Sequence, residues 1–142
     1  MRRFYSLLLV ITALMVSKGA WAALAVGDEF TVNGMTFKVT SISPNEVQVG
    51  GDTYAIDQNT EGTVNIPSSV TGSDGISYAV TAIGKSAFNH CEKITGITIP
   101  EGIVSIGRIA FYHCDNITSV TIPSTVTTWG ERAFTVRDCQ PL

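Results

Sequence analysis

The sequence predicts a mainly β protein, a short solenoid of 23-residue units behind a small N-terminal antiparallel β cap. Three observations point there. A six-residue pattern recurs at one spacing: Ile83-Gly84-Lys85-Ser86-Ala87-Phe88 returns as Ile106-Gly107-Arg108-Ile109-Ala110-Phe111, and again as Trp129-Gly130-Glu131-Arg132-Ala133-Phe134. Setting residues 83–105 against 106–128 gives 11 identities in 23 positions, far above chance, and recurrence at such a period is the mark of stacked repeats. Upstream of the repeats, apolar residues alternate around turn signals instead of recurring at helical spacing.

The chain has 142 residues and begins with Arg2-Arg3, an apolar run from Phe4 to Val16, and Ser17-Lys18-Gly19-Ala20-Trp21-Ala22. A charged head, a 13-residue apolar stretch and small residues at −3 and −1 read as a secretory signal peptide over 1–22, cleaved after Ala22. Thirteen residues fall short of the roughly 20 that cross a bilayer. No later segment is apolar enough to span one, so export is expected, to the periplasm, the cell surface or the medium. No cysteine lies near the cleavage site to carry a lipid anchor. The 9 Lys and Arg of the chain include Arg2, Arg3 and Lys18, so 6 remain against 12 Asp and Glu, a net −6 after the leader. With no basic run, nucleic acid and anionic membrane surfaces are not expected partners.

Residues 23–82 read as the β cap. Phe30-Thr31-Val32 and Met35 to Val39 flank Asn33-Gly34, a strong hairpin signal. Further short strands are expected at Glu46 to Val49, Thr53 to Ile56, Val64 to Ile66 and Ile76 to Val80. The loop over 71–75 separates the last two. A solenoid needs such a cover over its first coil.

Residues 83–142 read as the solenoid, two and a half units long. Ile94, Ile97 and Ile99, and likewise Ile117, Val120 and Ile122, place apolar side chains on one face of a short strand rich in β-branched residues. Pro100 and Pro123 end each strand, because proline brings no N–H to the ladder. Ile103/Val126 and Ile106/Trp129 are expected to point inward, and Gly84, Gly107 and Gly130 to turn the chain. Ala-Phe is expected in a short helical turn that stacks Phe88, Phe111 and Phe134 in one internal column. A unit this small cannot bury its own apolar side, so neighbouring coils must share a core.

The combined spacing A-F-x-x-C-x-x-I-T-x-[IV]-T-I-P-x-x-[IV]-x-x-[IW]-G resembles the BspA-type leucine-rich repeats of bacterial surface proteins. The resemblance is strong over 83–134 and weaker at Thr63 to Pro67 and Tyr78 to Gly84. It implies a leucine-rich-repeat solenoid used for cell-surface adhesion or protein–protein contact. Two departures stand out. Gly102 and Thr125 sit where many such repeats carry an asparagine ladder, so no side-chain ladder is expected there. In the third unit Arg137 replaces the repeat cysteine, and Cys139 comes two residues late.

Candidate chemistry is sparse. Cys91 and Cys114 hold equivalent places one unit apart; a disulfide is geometrically permitted, but a buried column of thiols is the simpler reading. His90-Cys91 and His113-Cys114 make an awkward zinc set, because adjacent residues of extended chain point to opposite sides. Ser105 lies between glycines at the wrong spacing for a nucleophile elbow. No phosphate-cradling glycine motif occurs. Asp52, Asp57 and Glu61 read as loop-solvating acids. Asn116-Ile117-Thr118 matches a glycosylation sequon on positions the repeat already explains. No catalysis, cofactor or metal is therefore expected. What remains is a hydroxyl-rich strip, Thr95, Thr98, Thr118, Ser119 and Thr121, with Tyr112 as an aromatic anchor, suited to a protein or surface glycan ligand. Tyr54, Tyr78 and Trp129 are the other aromatics that a carbohydrate-binding alternative would use. Eight residues follow Phe134 without a polar cap, which suggests self-association through the last coil or a fragment of a longer array with no ligand of its own.

Overall fold

The computed structural model describes residues 22–135. All but the last residue of the expected leader, together with Arg137 and Cys139, lie outside the described residues.

The chain begins with an antiparallel meander. β1 (Glu29–Val32) pairs with β2 (Met35–Ile42), closing Val32 against Met35. Asn33 (φ 51°) and Gly34 (φ 78°) both take left-handed backbone, the two-residue turn that Asn-Gly favours. β2 buries Met35, Phe37 and Val39 on one face, and the Phe30 and Phe37 rings stack at 5.8 Å. β3 (Asn45–Val49) returns antiparallel to β2 and is joined on its other edge by β6 (Ser77–Ile83), now parallel. β3 is therefore both the last strand of the cap and the first of the solenoid. Cap and solenoid share one sheet.

From there three parallel ladders rise. One is β3, β6, β8 (Ser105–Ile106) and β11 (Thr128–Trp129); another is β4 (Gly62–Asn65), β7 (Ile94–Thr98) and β10 (Ser119–Thr121). The third is β9 (Phe111–Tyr112) with β12 (Phe134–Thr135). Later coils repeat every 23 residues: Ser105 faces Thr128, Ile97 faces Val120 and Phe111 faces Phe134. The first coil is longer. Val47 faces Val80 and Val64 faces Ile97, each a step of 33 (80 − 47 and 97 − 64). The extra chain is taken up by β5 (Ser69–Thr71), which turns back antiparallel onto β6.

The core is a set of columns running through the coils. Phe88 and Phe111 stack at 5.1 Å with 3° between their planes, and Phe111 and Phe134 at 4.4 Å with 12°. This is the single column expected from the repeat. Ile83, Ile94, Ile97, Ile99, Ile103 and Ile106 are all buried around it.

Five expectations need correction. The Ala-Phe segment is not helical: Ser86, Ile109 and Arg132 carry positive φ (58°, 49°, 54°), which ends any helical turn, and Phe111 enters a strand. Thr53 to Ile56 forms no strand, although Ala55 is fully buried. β5 adds a strand that the sequence pattern does not mark, because three residues carry too little alternation to register. Trp129 is 48% exposed rather than turned into the core; it lies on the last described strand of its ladder. A side-chain link does exist at the position of the missing asparagine ladder. The Thr125 hydroxyl donates to the Ile103 carbonyl (2.8 Å) and accepts from the Gly102 N–H (3.2 Å), bridging two coils.

Candidate binding surface

Five of the six strip residues come together on the outer face of the β4–β7–β10 sheet. Alternation turns Ile94, Ile97 and Ile99 inward and leaves Thr95 and Thr98 exposed; the next coil presents Thr118, Ser119 and Thr121. Register aligns them: Thr98 faces Thr121, and Gly96 faces Ser119. The Thr118 N–H and hydroxyl both donate to the Thr95 carbonyl, at 2.9 and 3.2 Å. The face reaches one strand further than the repeat suggested, because Thr63 faces Gly96 and Asn65 faces Thr98. Its signal is the weak match at Thr63-Val64-Asn65-Ile66-Pro67, which sits 33 residues before its partner strand rather than 23. Gly96 leaves a notch there: a Cβ on it would sit 3.2 Å from the Thr63 hydroxyl.

Tyr112 does not belong with the other five. It lies on β9, in the turn ladder, where its ring meets His113 edge-on at 4.1 Å. His90 and His113 stack at 4.7 Å beside it, forming an aromatic column on the outside of the turns. Cys91 and Cys114 lie inward, buried and unbridged, so imidazoles and thiols do face opposite ways. Burial raises the Cys91 thiol to about 11. Burial likewise carries Cys114 to about 12, and its Sγ lies 3.0 Å from the Phe88 carbonyl. Burial thus disfavours the thiolate, the form in which cysteine acts as a nucleophile. Among the described residues no three His, Cys, Asp or Glu converge to hold a metal.

The remaining candidates serve structure. Asp52 pairs with Lys38, Asp57 accepts the Asn59 N–H at 2.8 Å, and Glu61 pairs with Lys93 at 3.2 Å. Asn116 donates to the Glu92 carbonyl one coil up, at 2.6 Å. Ser105 is a half-buried ladder residue of β8. Tyr78 is buried in the cap, where burial and the hydrogen bond to Asp74 (2.8 Å) push its hydroxyl to about 12. Burial opposes the charge on Asp74, but N–H groups of Ile76 and Leu24 and the Tyr78 hydroxyl outweigh it and hold the carboxyl below its ordinary range. No helix among the described residues is long and apolar enough to cross a membrane.

A parallel coil with this period, capped by a meander, defines a solenoid repeat module. The model of the BspA type leucine rich repeat region matches residues 63–141 in six copies, and the chain belongs to that family. Among solved structures, a leucine-rich repeat protein from Bacteroides capillosus ATCC 29799 is similar at 30% identity and a TM-score of 0.64, over 75% of this chain and 73% of that one. The pneumococcal vaccine antigen PcpA shares the fold at 23% identity and a TM-score of 0.64, over 79% of this chain and 31% of that one. No curated protein matches.

Proposed function

We propose that this chain is an exported, non-catalytic binding module whose β4–β7–β10 face docks a protein on a cell or neighbouring surface. The observation that carries this is the flat array of three parallel strands, exposing Thr63, Thr95, Thr98, Thr118, Ser119 and Thr121 on a backbone held rigid by its ladders. Short hydroxyls on a rigid sheet lose little conformational freedom when covered, which suits them to broad contact. The family supports a binding role, and the charged head and apolar run of the first 22 residues support export. The test is adhesion of host or neighbouring cells to immobilised chain from residue 23 onward. Thr98→Arg with Thr121→Arg should abolish adhesion while the circular dichroism spectrum stays unchanged. Undiminished adhesion by that variant overturns the proposal. Export is checked by fractionating cells that carry the tagged full chain, where retention of the tag in the cytoplasm would refute it.

A second reading has its own observation: Ile122 (43%) and Trp129 (48%) expose apolar surface on the last described coil. A second copy of the chain placed there would bury them. Sedimentation across a wide concentration range should then show a dimer that Trp129→Lys dissolves; a monomer throughout removes this reading.

A further inference from the structure

The turn that follows β6 differs from its successors in what lies above it. Between the next two coils the turns are laced by three backbone bonds, from Ser86, Phe88 and His90 N–H to the carbonyls of Arg108, Ala110 and Tyr112 (3.1, 2.8 and 2.9 Å). Above residues 85–89 only one equivalent bond forms, from Ala55 N–H to the Ala87 carbonyl at 2.6 Å. The Asn89 carbonyl is taken by the Gln58 side chain at 3.0 Å. The Lys85 carbonyl receives no backbone N–H among the described residues. The loop after β3 has pulled away from the turn, and an open groove of about 870 Å³ lies between them. That volume falls within the roughly 300–1,000 Å³ of small-molecule sites.

Charge in the groove is unbalanced at one point. Arg108, one coil on, pairs with Glu131 at 3.7 Å, whereas Lys85 pairs with no acid among the described residues. The groove's other ammonium, Lys38, is already held by Asp52 and by Glu29 at 3.8 Å. The walls add the half-exposed ring of Tyr54, the amides of Gln48 and Asn89, and the hydroxyls of Thr53 and Ser86. The Asn89 Oδ1 is buried without a hydrogen-bond partner.

We propose that this groove binds an acidic saccharide, a sugar ring carrying a carboxylate. Each feature has its counterpart in that ligand. The carboxylate pairs with the Lys85 ammonium. A ring hydroxyl donates to the Lys85 carbonyl. The apolar C–H face of the ring lies on Tyr54, gaining dispersion contact over an aromatic surface. A peptide would satisfy the carbonyl and could rest a side chain on the exposed Val26 of the wall, but one ammonium beside one aromatic ring, with amides and hydroxyls around them, matches a charged polyol better than a series of apolar side chains. The site is separate from the β4–β7–β10 face, so the two proposals stand or fall independently.

The test is titration of the chain from residue 23 onward, followed by amide NMR signals, with 3′-sialyllactose and a glucuronic-acid tetrasaccharide as probes. Lactose and a glutamate-rich peptide serve as controls. At least one acidic sugar should move the signals of Thr53, Tyr54, Lys85 and Asn89 saturably. Lactose should bind roughly tenfold more weakly, the loss expected for one charged contact. Lys85→Gln should cost about as much and Lys85→Arg should restore it. Tyr54→Ala should abolish binding, and Thr98→Arg with Thr121→Arg should leave it unchanged. No saturable shift with either acidic sugar overturns the proposal, as does equal binding of lactose or tighter binding of the peptide at the same residues.

Discussion

Ile99 and Ile122 hold the same place in consecutive coils, yet the first is 2% exposed and the second 43%. Ile106 and Trp129 differ in the same way, and Ile97 is buried where Val120 is only half so. The local strands are alike. What differs is the number of described neighbours: Ile99 lies between two described coils, whereas Ile122 has a described coil only on its N-terminal side. Burial here belongs to the stack rather than to the residue, which is the quasi-one-dimensional energetics of a solenoid. The cap end solves the same problem with Phe30, Phe37 and Tyr78, whose rings sit 5.8 and 5.9 Å apart at Phe30.

The severest way to break the comparison is to separate the coils at their glycines. A Cβ on Gly107 would meet the backbone of Gly84 and Lys85 at 2.6 Å. On Gly84 the nearest atom is instead the end of the Gln48 side chain, at 2.8 Å, with the Val49 carbonyl at 3.0 Å. Backbone cannot yield as a side chain does, and overpacking typically costs about 1–3 kcal/mol, or more where nothing relaxes. Gly107→Ala should therefore unfold the later coils, and Gly84→Ala should be tolerated with a lowered melting temperature. Thermal melts of both variants check this; equal melting temperatures would mean that the coils are not in backbone contact at this column.

Next comes the core column. Phe111 is buried with a ring on either side, and truncating a buried Phe to Ala costs about 3–5 kcal/mol. Trp129 touches a ring on one side, Phe134 at 6.1 Å, and is half exposed. Phe111→Ala should lose most of the stability in urea, and Trp129→Ala about 1 kcal/mol or less, as for other surface changes. The reverse order would place the packing centre at the last coil.

How far the sequence disclosed all this depends on the period. Wherever the step is 23, identities such as Ala87/Ala110 and Phe88/Phe111 announce the stack, and alternation in Ile94 to Ile99 assigns the faces of β7. The first coil steps by 33, so the pairs Val47/Val80 and Val64/Ile97 fall outside the 23-residue spacing, and Thr63 to Pro67 and Tyr78 to Gly84 show the repeat pattern only weakly. Their membership in the ladders is tertiary information. The placing of Thr95, Thr98, Ser119 and Thr121 on one face was legible because they lie on repeat strands, whereas Tyr112 falls in the turn ladder. The groove was not, since it arises from a loop that withdraws and leaves Lys85 unmatched. The turn shape was also hidden: Ser86 and Ile109 take left-handed backbone that their side chains do not favour, imposed by the coils on either side. His90 and Tyr112 gave no hint in sequence that they would share an outer column.

A smaller effect probes the links between coils. Thr125 has two hydrogen bonds to the coil above, while Thr127 reaches only the Val104 carbonyl, at 3.4 Å. Thr125→Val keeps the shape and removes both bonds, each worth about 0.5–1.5 kcal/mol net. A loss of about 1–2 kcal/mol is expected, against almost none for Thr127→Val, measured by urea unfolding. Equal losses would mean that the Thr125 bridge contributes nothing beyond strand propensity.

The smallest effect separates the two ends of the stack by pH. Asp74 ties the cap together, accepting from the N–H groups of Leu24 (3.1 Å) and Ile76 (3.0 Å) and from the Tyr78 hydroxyl (2.8 Å). Its folded pKa lies below the ordinary 3.8, so the folded state favours the charged form. The stabilisation is fully present above the ordinary value and is lost as pH falls through the folded one. Asp74→Asn removes the titration and weakens the bonds, so it should lower the melting temperature by a few degrees at pH 7. The gap to the parent chain should then close as the pH drops below about 4. Because the side chain is partly exposed, salt and water keep the effect small. Tyr78→Phe should reproduce part of the loss with the same pH dependence, whereas Trp129→Ala at the opposite end should show none of it. A gap between Asp74→Asn and the parent that stays constant from pH 7 to pH 2 would mean that the carboxylate's charge plays no part in holding the cap.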